Sequence, residues 1–474
     1  MFRTQAPYPV ALGRALSAPL LVAWLAAPSA RAEVSTPPTP ESLQPAPEVA
    51  RSLSIETSFD TSAFLRSSSD FAQASSTLTF KPKGERRGPS LFARVDAEAK
   101  VFMSDMKTVG YEVTEVFVAT GTGFAPGHQL TIGRRLYDWS VADKAWSLGV
   151  WTPRFEWDPL RPELIGRTGV FYSFESPQWQ VHFHAAPVSV PEKGYPIEAQ
   201  NGRLVSPSPF WRPPPDAVEQ DGLAIPIQYG LKYPSVSRIL LQPGAAISGR
   251  YGQKTGEWGS VSYAYLPIKQ AVVAVEPQLQ FDNQLSLLAT VHPLFPYHHL
   301  MTLEGGYQEE SWSSWASATR EIPIPENLPA GWYATPIGPS WLASVGGSFV
   351  PTPGLTLSSS YLYSHEEADT SSAPVFLPKF PSRFSYRSAG MLTAHWQATE
   401  RLSHEGRVTH DFDQNATVLS FDGLLQPRPG ATGGSLAGWK LGLGVDFIFS
   451  GANDGQIGQF VGKDRVRWTM AYAF

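Results

Sequence analysis

The chain contains no cysteine. Disulfide staples, thiolate-bound metals and CxxC redox chemistry are therefore excluded. A second absence is as restrictive: beyond Ala32 there is no run of about 18 apolar residues, the length a transmembrane helix needs. An excess of positive charge is also missing. Lys and Arg number 37 against 42 Asp and Glu, which argues against nucleic acid as a partner. There is no Gly-rich phosphate loop, no nucleophile elbow and no repeat of fixed period, so no enzyme is expected and no cofactor is implied.

What is present begins at the N-terminus. Arg3 and Arg14 precede an apolar stretch over 16–27, Pro28 breaks it, and Ala30-Arg31-Ala32 offers small residues where a signal peptidase cuts. Residues 1–32 are expected to be a secretory signal peptide. Its removal would take away Arg3, Arg14 and Arg31, leaving 34 bases against 42 acids, a net charge of −8. Residues 33–50 carry Pro37, Pro38, Pro40, Pro45 and Pro47. They read as an extended periplasmic linker, either a spacer or a docking tether.

From 51 to 474 the pattern is alternation. In 465–474, Val466, Trp468, Met470, Tyr472 and Phe474 share one face of an extended strand, and Arg465, Arg467, Thr469, Ala471 and Ala473 share the other. In 91–102, Arg94, Asp96, Glu98 and Lys100 occupy one face, which cannot meet lipid. An exported chain without transmembrane helices can cross a membrane only as a closed barrel, because helices and closed sheets alone satisfy every backbone group in hydrocarbon. The fold class expected is all-β, a transmembrane antiparallel barrel. Reading the alternation gives about 20 strands, reduced here to 18 with a range of 16–20. Among them are 223–233, 238–251, 272–281, 285–291 and 297–307, followed by 341–350, 384–396, 401–411, 417–424 and 439–449. The long connections 138–167, 185–222 and 309–339 are expected on the extracellular side.

Signal peptide, alternating strands, tight turns on one side, long loops on the other and an aromatic terminus resemble the porin-like barrels of the bacterial outer membrane. That resemblance implies residence in the outer membrane of a Gram-negative bacterium and contact with its lipid. It also implies that Trp468, Met470, Tyr472 and Phe474 form a signal read by the barrel-assembly machinery. Residues 131–136, Thr-Ile-Gly-Arg-Arg-Leu, are faintly similar to alginate-export porins, which would add a polysaccharide cargo and a periplasmic export component as a partner. Neither the helical scaffold of larger export barrels nor the N-terminal plug of energised transporters is matched.

Three groups of residues could carry function. The first is the polar inward face: Arg94, Asp96, Glu98, Lys100, Arg387, Glu405, Arg407, Asp411, Lys440, Asp446 and Arg467. These side chains either select solutes or simply brace the barrel as ion pairs. The second is the stretch 133–169, where Arg135, Arg154, Glu156, Asp158 and Arg161 alternate with Trp139, Trp146, Trp151 and Trp157. Four indoles want burial, so this loop is expected to fold into the barrel mouth and narrow it. A sugar-contacting surface or a membrane aromatic belt are the alternatives. The third is histidine: His182 and His184 share a face, but no third ligand is in view and no metal is expected. The function expected is a channel for small hydrophilic solutes or a secreted polysaccharide. The alternative is a closed structural or adhesive barrel whose extracellular loops bind partners.

Overall fold

The computed structural model describes residues 50–65, 74–103, 109–121, 125–211, 213–220, 222–281, 285–367, 384–426, 438–451 and 457–474. The expected signal peptide and the linker up to residue 49 lie outside the described residues. The chain forms one closed antiparallel barrel of 18 strands. Numbering only the barrel strands, these are β1 Ala50–Phe64, β2 Ala74–Arg87, β3 Leu91–Phe102, β4 Val109–Thr120, β5 His128–Arg135 and β6 Arg167–Glu175. Then come β7 Trp179–Ala186, β8 Gly244–Gly252, β9 Gly256–Pro267, β10 Tyr297–Gln308, β11 Trp312–Pro323 and β12 Ser340–Thr352. The last six are β13 Leu355–Glu366, β14 Ser388–Thr399, β15 Leu402–Asp411, β16 Ala416–Leu425, β17 Trp439–Ser450 and β18 Arg465–Ala473.

Each strand pairs with its neighbours in sequence. The ring closes where β1 meets β18, with Glu56 opposite Ala473 and Phe64 opposite Arg465. Closure leaves no strand edge unpaired, which is what a sheet in lipid requires. An even strand number also returns both ends of the barrel to one side. That side carries the tight turns 88–90, 176–178, 253–255, 309–311, 353–354 and 400–401, and is periplasmic. Gly354 shows why such turns take glycine: its φ is +86°, a backbone that L side chains rarely adopt.

Alternation sets the two faces. Leu303, Val261, Leu392 and Leu443 point outward and stay exposed, whereas inward Thr302, Ser262, Glu405 and Asp446 are buried by other protein groups. Aromatic pairs lie outside near both ends. Trp179 packs on Tyr251 and Trp439 on Tyr472 at the periplasmic end, and Tyr265 stacks on Tyr297 at the other. An apolar exterior flanked by aromatics matches a bilayer with its two interfaces. The barrel is an outer-membrane protein.

The strand number agrees with expectation through errors that cancel. Segments 223–233, 272–281 and 285–291, expected in the barrel wall, are not there. They belong instead to a separate five-stranded sheet above the barrel, in which Leu223–Leu231 runs parallel to Leu285–Leu294. Alternation cannot distinguish a wall strand from a strand in a folded loop, since both are half-buried. The opposite error lies in 309–339, expected to be a long loop. Trp312–Pro323 is β11, reached through the tight turn 309–311. Its outward face, with Ser314, Ala316 and Ala318, is too small to announce itself as lipid-facing. Within 238–251 the structure divides: Val236–Leu240 is a short helix and only Gly244–Gly252 joins the wall.

Candidate functional site

The stretch between β5 and β6, residues 136–166, turns into the lumen. It carries one helix, α1, Val141–Trp146, whose first turn is capped from both sides. The Ser140 hydroxyl accepts from the Asp143 amide at 3.2 Å. Glu304 of β10 accepts from the Ser140 hydroxyl at 2.7 Å and from the Val141 amide at 2.9 Å, placing a carboxylate at the positive end of the helix. After α1 the chain wraps around Asp143, whose carboxylate accepts from the amides of Val150 and Thr152 at 2.9 and 2.8 Å. Burial pushes this carboxyl up, against the pull of those amides.

One flank of the loop is aromatic. Trp146 and Trp151 are fully buried, and Trp139 nearly so. The Trp146 indole donates to Ser344 of β12 at 3.1 Å and packs edge-on against Tyr386. The Trp151 indole donates to Thr302 of β10 at 2.8 Å and stacks on Trp139. The Arg167 guanidinium lies over both rings, at 5.5 and 5.6 Å. This flank fills the lumen against β10–β13.

The other flank is ionic. Arg161 reaches Asp422 of β16 and Asp446 of β17, both at 2.8 Å. Arg465 of β18 joins Asp158 at 2.7 Å to Asp446 at 2.8 Å. Arg467 pairs with Asp446 at 3.0 Å and with Asp422. Three arginines and three aspartates thus close one network between loop and wall. Gly444 makes room for it: a Cβ there would collide with both Arg467 and Asp422. A few residues on, Glu163 meets Lys100 of β3 at 2.8 Å and Lys81 of β2 at 3.5 Å, and Glu98 meets the same two lysines at 2.9 and 2.7 Å. Burial would raise the Glu163 carboxyl, but Lys100 and Lys81 prevail and hold it down at about 2.

Between this flank and the wall β16–β18, β1–β3 lies a cavity of about 300 Å³. Ser58, Asp60, Thr77, Thr79 and Thr469 line the wall side, and Trp157, Asp158, Arg161 and Glu163 the loop side. Cations, carboxylates and uncharged hydroxyls therefore all face this space inside a closed barrel.

No protein-family model and no curated protein matches the chain. Several solved structures resemble its fold. Acinetobacter baumannii OccAB4 aligns at 8% identity over 90% of this chain and 98% of its own, with a TM-score of 0.49. Pseudomonas aeruginosa OccK9 (OpdG) aligns at 10% identity over 90% and 98%, with a TM-score of 0.48. Pseudomonas aeruginosa OccK8 (OprE) aligns at 8% over 90% and 98%, also at 0.48. The likeness of residues 131–136 to alginate-export porins gains no support from these matches.

The residues singled out in the sequence fall into distinct places. Asp158, Arg161, Asp446 and Arg467 meet in the network above, and Glu98 and Lys100 meet at Glu163. Arg94 turns to Glu115 at 3.1 Å and Asp96 to Lys83 at 3.3 Å, further along the inner wall. Arg135 donates to Gln129 and Thr131 beneath the rings of Phe117 and Tyr137. Lys440 pairs with Glu56 on the periplasmic half. Glu405 and Arg407 form a buried pair at 3.1 Å on β15.

Two expectations need correction. Arg154 and Glu156 do not face the cavity: they pair at 3.0 Å inside the folded loops, where Arg154 also holds Glu192 at 2.8 Å. Arg387 sits at the outer rim near Asp413, and its amide donates to Asp411, which caps the turn into β16. His182 and His184 share the inward face of β7; His182 turns to Ser173, while His184 stacks on Phe171 and bonds the Thr168 carbonyl.

Residues missed in the sequence include Asp422, Asp60, Lys81 and Glu304. The inward parity of their own strands would have revealed each one. What parity could not supply is which inward residues share a level of the barrel.

Proposed function

We propose that this barrel is a diffusion channel for small hydrophilic solutes, with residues 136–166 as its internal restrictor. The observation that carries the reading is the loop itself. It is anchored across the lumen by buried indoles, yet meets the opposite wall through ion pairs beside a cavity of about 300 Å³ whose lining includes charged and hydroxyl side chains. A barrel braced only for strength has no need of such a one-sided filling, and interior dipoles and charges are what select solutes in channels. Asp158, Arg161, Glu163, Asp422, Asp446 and Arg467 are the constriction residues. A loop packed across the bore favours single small solutes over a threaded polymer, and the polysaccharide cargo is not carried forward.

The test is single-channel conductance in a planar bilayer. The chain from Glu33 is compared with a variant in which 139–164 is replaced by a short Gly-Ser link. Steady conductance that grows in the variant is expected. Silence from both forms, with folding verified by heat-modifiable migration, would favour a closed barrel whose extracellular loops bind partners.

For assembly we infer that Trp468, Met470, Tyr472 and Phe474 are read by the barrel-assembly machinery. Trp468, Met470 and Tyr472 lie on the outward face of β18, and Phe474, one residue beyond its end, is 73% exposed with its amide bonded to the Ile55 carbonyl. Deleting Phe474 is expected to lower the amount of assembled barrel several-fold without changing its melting temperature. Wild-type amounts in the membrane would remove the inference.

A further inference from the structure

The wall of the cavity has a chemistry of its own. On adjacent strands β18, β1 and β2, inward residues form level rows. Ser62 lies between Arg467 and Ser75, Asp60 between Thr469 and Thr77, and Ser58 between Ala471 and Thr79. Successive rows are about 7 Å apart, two residues along a strand. Most of these side chains are short hydroxyls, each able both to donate and to accept.

The charges around them are already committed. Lys81, Lys100, Arg161, Lys440, Arg465 and Arg467 each hold a carboxylate, as described above. An incoming organic anion would have to displace a protein carboxylate from a partly desolvated cation, and the breaking of such pairs is costly. Asp60 adds to the obstacle. Its carboxylate accepts from Ser58 at 2.9 Å and from Thr469 at 2.7 Å, with no cation partner among the described contacts.

A second cavity of about 380 Å³ lies on the extracellular side. It shares Pro209 with the first, so the two are neighbours. Trp211, Tyr229, Leu204 and Pro207 line it, and its charges are the exposed pair Arg203–Asp216 at 3.3 Å. Neither chamber offers a free cation among its described lining residues. The outer one offers apolar and aromatic surface; the inner one offers the hydroxyl ladder together with the rings of Phe64, Phe155, Trp157 and Phe210.

We propose that the two chambers form a path for an uncharged, polyhydroxylated solute of the sugar type, not for an organic anion. The proposal rests on the channel reading above and names its substrate class. A sugar ring has apolar faces for the outer chamber and hydroxyls that exchange hydrogen bonds with Ser62, Thr77 and Thr469 in the inner one. It passes without breaking an ion pair.

The experiment uses the chain from Glu33 in proteoliposomes and planar bilayers. Swelling is measured in isotonic D-glucose and in potassium gluconate, a carboxylate of similar size. Glucose is expected to enter several-fold faster. Glucose added to the bilayer should reduce the ion current in a saturable way. Replacing Thr77→Val and Thr469→Val together should raise the concentration needed by about five-fold, the effect of one or two neutral hydrogen bonds. Gluconate entering as fast as glucose from a conducting barrel, or block unchanged in the double variant, would overturn the sugar assignment and leave the channel standing. A folded, heat-modifiable barrel that neither conducts nor swells would instead overturn the channel reading beneath it.

Discussion

The two flanks of the inward loop are held to the same barrel by opposite chemistry. Against β10–β13 the contacts are Trp139, Trp146 and Trp151, with their N–H groups directed at wall hydroxyls where a partner exists. Against β16–β3 they are Asp158, Arg161 and Glu163, paired with wall residues of the opposite sign. The difference follows from water. Burying an indole gains most where water is excluded, so the aromatic flank is dry and fills its half of the lumen. Ion pairs give up hydration energy when buried and are screened when fully wetted, so this flank sits at the edge of the cavity, with Asp422 and Glu163 partly exposed and Asp446 and Arg465 buried. One loop thereby defines both a plug and a path.

Breaking the dry flank should change the molecule most. Trp151→Ala is expected to loosen the loop by roughly 3–5 kcal/mol, the cost typical of deleting a buried indole. Limited proteolysis should then cut within 136–166 while the barrel stays heat-modifiable, and mean conductance should rise. An uncut loop with unchanged conductance would show that the aromatic flank is not the anchor.

The wet flank should yield less. Arg161→Ala removes one of the cations between Asp422 and Asp446 and leaves Arg467 to serve both, at a cost of roughly 1–3 kcal/mol. Reversal potentials should move toward cation selectivity, and Asp446→Asn should move them the other way. Equal shifts of one sign in both variants would contradict the proposed role of the network.

Acid separates the flanks without mutation. The Glu163 carboxyl is held down at about 2, below its ordinary 4.5, so its unfolded form binds the proton more readily. Its contribution is therefore complete above about pH 4.5 and is lost as the pH falls toward 2, on the order of 3 kcal/mol. Between these limits, conductance fluctuations should increase in the wild type and not in Glu163→Gln. The indoles of the aromatic flank do not titrate, and the carboxyl of Asp143 beside them is shifted in the opposite direction.

A second effect with the same sign of slope, but in the alkaline range, lies just above the dry flank. Burial, with Arg167 and Arg134 nearby, pushes the Lys269 ammonium down to about 7, and its nitrogen donates to Ser189 at 2.6 Å. Here the unfolded chain holds the proton longer, so stability rises with pH between about 7 and 10.5. Lys269→Met should flatten that rise in thermal melts and raise stability at neutral pH by about 1–2 kcal/mol. A variant that melts lower at pH 7 would assign the lysine a structural bond worth more than its desolvation.

Much of this architecture is legible in the chain itself. The inward set on β15 and the outward set on β18 follow from alternation alone, because a strand offers only two faces. Four indoles within 19 residues, Trp139 to Trp157, cannot all remain in solvent, so a packed loop follows from composition. Other features are not legible. Segments 223–233, 272–281 and 285–291 alternate as well as any wall strand but pair with one another above the membrane. β11 is hidden because serine and alanine on its outward face carry little hydrophobic signal. Arg154 and Arg161, both loop arginines among acids, look alike in sequence. One is sealed inside the folded loops and the other faces the wall across the cavity.

Composition and a period of two are enough to set the class of fold, the compartment and the two-faced character of nearly every strand, because these properties are local. Which strands close the ring, which fold above it, and which inward charges share a level are matters of tertiary structure. Asp158 and Arg465 are 307 residues apart in the chain and 2.7 Å apart in the barrel. No local pattern encodes that distance. It is set by the strand register around a closed sheet and by how far one loop can reach across the lumen.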